Sequence, residues 1–246
     1  MRNPTQTLAF LCLLSSALMA DPGAPLQRLV AGSPEEADAA RQALLATATP
    51  SAIPTLAALL DKPESFDNAC FLLERIRLPE ADAALQAALD RTSGREQAGL
   101  LNALARRSSP SAERQAVALL SKPEPVRTAA LHYLGACATP AALAALAAQP
   151  ADAPTADATL LAAETLAARK DPKRAAGLYA SLYRSKLPDS LRLAAFCGLL
   201  RTDADSTAAC LAEGLSHASP VWRGTTARLA AELPEKSLRK LGARLM

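Results

Sequence analysis

Along most of the chain, apolar residues recur at three- and four-residue intervals in blocks separated by short polar turns. Val126, Ala129, Ala130 and Leu134 form one such stripe, and Leu191, Ala194, Ala195 and Leu199 another. A helix turns once per 3.6 residues, so this spacing predicts helices with one buried face. The blocks come in pairs. The first block of a pair opens at a recurrent proline: TPSAIPTLAALL at Pro50, LPEADAALQAAL at Pro79, SPSAERQAVALL at Pro110, TPAALAALAAQP at Pro140 and DPKRAAGLYASLY at Pro172. The intervals are 29, 31, 30 and 32 residues, and a sixth copy, TDADSTAACLAEGL from Thr202, keeps the spacing without the proline. Ser, Thr or Asp stands before most of these prolines, as an N-cap followed by Pro at the first helical position requires; Pro79, preceded by Leu78, is the exception. The second blocks read DNACFLLERI, EQAGLLNALARR, VRTAALHYLGA, ADATLLAAETLAARK, LRLAAFCGLLR and VWRGTTARLAAEL.

The repeating unit is therefore a helical hairpin of about thirty residues, helix A then helix B. Six copies fall near 49–77, 78–107, 108–138, 139–170, 171–201 and 202–233. One extra helix precedes them at 33–48, with Ser33 and Glu36 spaced as a capping box, and a short basic helix at 234–246 closes the chain. A lone hairpin cannot bury both of its faces, so neighbours must stack, and residues 33–246 are expected to form one all-α solenoid with a capping helix at each end. The segment AAQPADAPTADA at 147–158 carries two prolines and no strong stripe, and is expected to be a long turn or a hinge.

Composition agrees with this reading. Of 246 residues, 58 are Ala and 43 Leu, both strong helix formers, whereas Val and Ile together number six. A sheet has almost none of its usual material, which excludes all-β and α/β folds. Small Ala side chains let helix axes approach closely. With 27 Lys and Arg against 24 Asp and Glu, the net charge of +3 gives no general attraction to nucleic acid or anionic membrane. Aromatics at 3% are too few for single-strand stacking platforms. Residues 1–20, MRNPTQTLAFLCLLSSALMA, place Arg2 before an apolar run and small residues before Asp21, the pattern of a secretory signal peptide. A linker at 21–32 follows, and no later stretch is apolar enough to span a membrane. The mature chain is expected to be periplasmic or secreted.

The segment LLSKPEPVRTAALHYLG at 119–135 resembles the HEAT repeat, whose helix B opens Val-Arg-x-x-Ala after a polar turn; Val126, Arg127 and Ala130 match it. Arg192 with Ala195, and Arg223, match in part, while Asp67, Glu96 and Asp157 stand in the Arg slot of the other copies. The resemblance, covering about residues 34–234, implies a right-handed α–α superhelix and the scaffold or adaptor role of HEAT-like proteins. It also implies an alternative, an accessory of a lyase-like or cofactor-handling enzyme system.

Little here carries chemistry. His132 and His217 lie more than two repeats apart and cannot share a metal. There is no haem-attachment, nucleophile-elbow or phosphate-loop motif, so no catalytic residue, metal or cofactor is assigned. Cys197 and Cys210 sit about six residues either side of a turn in consecutive helices, which would place them at one height for a disulfide; two buried apolar thiols are the other reading. Basic residues recur at the ends of B helices: Arg75, Arg106, Arg107, Arg169, Lys170 and Arg201, with a gap at Cys137. They either complement the negative ends of helix dipoles or form a ridge for an acidic protein partner. His132 and Tyr133 complete the candidate partner-binding set. Tyr179, Tyr183 and Trp222 are expected between repeats, with partner anchoring as the alternative. The expected function is thus a monomeric, exported, non-enzymatic scaffold that binds a protein.

Overall fold

A computed structural model describes residues 33–202 and 207–232, together with Pro25, Arg28 and Leu29. The expected signal peptide, most of the linker and the C-terminal helix lie outside these residues. Among the described residues there are thirteen α-helices and no strand. They are α1 (Pro34–Ala46), α2 (Ile53–Leu59), α3 (Pro63–Arg75), α4 (Pro79–Leu89), α5 (Gly94–Arg106), α6 (Glu113–Leu119) and α7 (Val126–Cys137). Then follow α8 (Pro140–Ala147), α9 (Ala153–Ala168), α10 (Pro172–Tyr183), α11 (Asp189–Thr202), α12 (Thr207–Ser216) and α13 (Pro220–Glu232). The chain divides into two compact units, Met1–Ala88 and Leu89–Met246.

The local signals act where the sequence places them. Ser33 accepts from the Glu36 amide while the Glu36 carboxylate accepts from the Ser33 amide, a complete capping box at α1. Thr139 and Asp171 cap α8 and α10, each followed by its proline at the first helical position. At Pro50 and Pro110 the helix begins as a single 3₁₀ turn before becoming α-helical. Several boundaries differ from expectation, with α11 running through Thr202, where the sixth copy was expected to open, and α12 starting at Thr207. Helix α3 starts at Pro63, four residues before the apolar pattern begins, because a proline ring presets the helical φ. The 147–158 segment is mostly helix: the side chain of Asp152 accepts from the Thr155 amide and starts α9 at Ala153, with Pro154 in its first turn, leaving only a short turn.

In unit 1, α3 packs on both α1 and α2. Leu56, Phe66, Leu72 and Leu73 are buried in it, and Arg41 of α1 donates to Asn68 Oδ1 of α3 at 2.9 Å. In unit 2 the B helices stack in chain order, α5 on α7, α7 on α9, α9 on α11 and α11 on α13. Each is flanked by A helices adjacent in sequence, α6 and α8 on α7, α10 on α9 and α11, α12 on α11 and α13. The substantial helix contacts thus run to the next helix or the next but one, as stacked hairpins require and as a globule with distant segments packed together would not. The fold is all-α, with the solenoid-like packing the periodicity predicts.

The turns from B to A use an unexpected device. Ser108, Ala138 and Lys170, each just beyond a B helix, have φ of 51°, 46° and 62°, the left-handed region usually given to glycine. They close their helices through bonds such as Ser109 N to Leu104 O at 3.3 Å, Ala138 N to Leu134 O at 2.9 Å and Asp171 N to Leu166 O at 2.9 Å. A side chain at such a φ costs about 1–2 kcal/mol, and glycine gives back about 0.4–1 kcal/mol through its freer unfolded chain. Lys170 is exposed, so Lys170→Gly is expected to stabilise the protein by about 0.5–1 kcal/mol in urea denaturation. Ala138 is buried, and losing its methyl, worth about 0.8 kcal/mol, leaves Ala138→Gly near neutral.

Candidate functional site

The apolar stripes decide which residues reach the surface. In α7, Val126, Ala129, Ala130 and Leu134 are all buried, as their spacing predicts. In α11 the buried set is Ala195, Phe196, Leu199 and Leu200, while Ala194 is exposed. The helix is rotated so that Phe196 enters an aromatic cluster with Tyr183 and Trp222, at centroid distances of 5.5 and 5.2 Å. Burial of a large ring outweighs that of an Ala methyl. Tyr179, Tyr183 and Trp222 are therefore core residues. His217 lies stacked on the Trp222 indole at 4.4 Å.

Tyr133, expected to face a partner, is instead fully buried. Its hydroxyl donates to Ser109 O at 2.6 Å and accepts from the Ala112 amide at 3.1 Å, tying α7 to the turn before α6. Burial first, and the neighbouring Cys137 second, push the phenol well above its ordinary pKa, so it remains a donor. Tyr133→Phe strands the buried Ala112 amide and leaves the half-buried Ser109 carbonyl only the weak Cys137 thiol at 3.6 Å. A loss of about 1–3 kcal/mol in denaturant titration is expected.

The remaining candidates of unit 2 are surface groups, His132 in the middle of α7 and the others at the C-terminal ends of B helices. Arg106, His132, Arg169, Lys170 and Arg201 are exposed and Arg107 is half-buried. In unit 1, exposed Arg75 pairs with Glu74 at 3.1 Å, its guanidinium 3.9 Å from the Phe71 ring centroid. Stacking of α5, α7 and α9 brings Arg106, His132 and Arg169 around one groove of about 460 Å³. Ala136, Leu161 and Ala168 also line it, and no Asp or Glu does. Burial of the inner ring face, and then the Arg106 charge, lower the His132 pKa, which favours the neutral imidazole. Arg169 donates to Cys137 O at 2.7 Å, so the cation of one repeat caps the preceding B helix where the basic series has its gap.

The arginines near the start of the B helices, Arg127, Arg192 and Arg223, have a different task, which spacing alone does not reveal. Arg127 of α7 donates to Asp152 Oδ2 at 2.9 Å, joining one B helix to the N-cap of the next. Arg192 of α11 donates to Tyr183 O at 3.1 Å, and Arg223 of α13 to His217 O and Ala218 O, each 2.8 Å, at the preceding turn. In copies without the arginine, buried Ser65 and Gln97 reach Leu59 O and Leu89 O, both at 2.9 Å. Apart from the Arg127 bond, each of these goes to a carbonyl at the end of an A helix or in the turn after it, where intrahelical partners run out.

Burial alone would raise the Asp152 pKa, but hydrogen bonds from Thr155 and the charge of Arg127 outweigh it and hold the carboxyl below the usual range. A depressed pKa means stability that is present in full above the unfolded value of about 3.9 and lost as pH falls through the folded one. Asp152→Ala removes both cap and charge and is expected to cost about 1–2 kcal/mol at pH 7. Asp152→Asn keeps the cap and should cost less. The gap between wild type and Asp152→Asn should close in acid melts below about pH 4.

No protein-family model matches the sequence, and no curated protein does. What the site can do must follow from its own residues. Cys197 and Cys210 carry no disulfide. The other reading, two unbridged thiols, holds: Cys210 is buried near Tyr183, and Cys197 is half-buried near Arg201 and Arg228. Among the described residues no group of three or more His, Cys, Asp or Glu could hold a metal, and no helix is long and apolar enough to cross a membrane.

Proposed function

We propose that this protein is an exported, non-enzymatic scaffold of HEAT-like hairpins that binds another protein along the outer surface of its B helices. The observation that carries the reading is the stacked row of B helices in residues 89–246, which presents Arg106, His132, Arg169 and Arg201 to solvent. Repetition of one structural unit turns scattered side chains into a continuous surface, the use to which helical solenoids lend themselves. The Arg127–Asp152 link supports the HEAT-like assignment, since the motif arginine joins consecutive repeats. Export rests on the apolar and small-residue pattern of residues 1–20.

The test is covalent capture in cells expressing the full chain, with a photo-crosslinker in place of Thr165 beside the groove. One protein recovered in stoichiometric yield, and lost when Arg106 and Arg201 are both changed to Glu, is the expected result. Equal recovery with the charge-reversed chain, or no stoichiometric product, refutes the reading. A mature N-terminus at Asp21 in the envelope fraction is expected for the export step.

A further inference from the structure

We propose that the groove between α5, α7 and α9 takes an acidic segment of the partner, its carboxylates against Arg106 and Arg169 and an apolar side chain on the small and apolar lining beside them. This rests on the scaffold reading and names the chemistry of what is bound. Three observations carry it. The groove, about 460 Å³, is large enough for two or three side chains. Ala136, Leu161 and Ala168 give its lining apolar or small surface beside Arg106, His132 and Arg169. Its lining includes guanidiniums and an imidazole but no carboxylate, so a bound anion meets no like charge.

One effect opposes the proposal and can be weighed. The groove lies at the C-terminal ends of three helices, and each end carries roughly half a negative charge. The left-handed caps and the Arg169 bond to Cys137 O satisfy several of those carbonyls and so weaken the opposing field. A guanidinium has five N–H donors, so Arg169 can hold the α7 carbonyl and still meet a carboxylate, its side chain already oriented. No Phe, Tyr or Trp lines the groove, so nucleic-acid bases have only the His132 imidazole to stack on, which favours a peptide.

The experiment is fluorescence anisotropy of the full chain with a labelled Ala-Glu-Leu-Glu-Ala peptide, its Ala-Gln-Leu-Gln-Ala counterpart and a labelled thymidine oligonucleotide. The Glu peptide should bind at least ten-fold more tightly than the Gln peptide and weaken in high salt. Arg106→Glu should lose at least ten-fold in affinity with helix content unchanged by circular dichroism. Arg106→Gln should fall between, and Arg184→Glu, exposed at the end of α10, should bind as wild type does. Equal binding of the two peptides, retained binding by Arg106→Glu, or binding of the oligonucleotide alone would overturn the proposal. Captured partner with no peptide preference would leave the scaffold reading standing and remove this one. Peptide preference with no captured partner would do the reverse.

Discussion

Trp222→Ala should destabilise the 89–246 unit by about 3–5 kcal/mol, the range for removing a large aromatic from a packed core. The indole is 2% exposed. It meets Phe196 of α11 at 5.2 Å between ring centroids and Tyr183 of α10 at 6.1 Å, with His217 stacked on it at 4.4 Å. The Arg192 guanidinium lies 5.8 Å from the same ring. Two helices and a turn thus converge on one side chain of α13. At about 2–4 °C per kcal/mol for a domain of this size, the midpoint should fall by about 10 °C. Trp222 is the only tryptophan, so the melt is followed by circular dichroism rather than fluorescence. Trp222→Phe, which keeps a ring, should lose less than half as much. A shift under about 3 °C for the Ala variant would show that the cluster is not packed as described.

The second large effect is expected where the smallest residue stands. Gly135 lies within α7, and a Cβ there would meet the backbone of Ala158 in α9, 3.2 Å from its carbonyl carbon and nearer still to its oxygen. A backbone cannot rotate aside as a side chain can, so the two helices would have to separate. Overpacking of this kind costs about 1–3 kcal/mol, occasionally more, and Ala's better helix propensity returns only about 1 kcal/mol. Because α9 packs directly on α7, we expect Gly135→Ala to lose as much as about 2 kcal/mol net in urea titration. Gly177→Ala in α10 is the control. A Cβ at Gly177 meets nothing within 4 Å, so propensity acts alone and the variant should gain about 1 kcal/mol. The same substitution with opposite signs would separate helix formation from helix stacking. Equal signs would contradict the close approach of α7 and α9.

The two cases also mark what could be read in advance. Gly135 and Gly177 look alike as letters in a helical block. Only the first faces another helix, and nothing in its neighbours' spacing says so. The stripe in α7 was legible because one set of apolar residues dominates it. In α11, apolar residues stand on more than one face, and the choice fell to Phe196 and its aromatic neighbours rather than to Ala194. Tyr133 was misread because a tyrosine beside an exposed histidine looks like surface. Its hydroxyl finds two backbone partners inside, and no local signal announces them. The basic residues at the ends of B helices were legible, and so was their recurrence. That Arg169 closes the gap at Cys137 by reaching back one repeat was not.

By itself, the sequence determined the fold class, the thirty-residue period and the starts of the proline-led helices, because these depend on forces acting within a few residues. Proline presets φ, an N-cap satisfies orphan amides, and an apolar stripe needs only the helix's own turn. Tertiary structure alone decided which face of α11 is buried, where Arg127 sends its charge, why Ser108, Ala138 and Lys170 accept a left-handed backbone, and which cations surround one groove. Each of those outcomes is a competition between groups far apart along the chain. The winner is set by packing area and by buried polar groups needing partners, quantities that exist only once the helices have met.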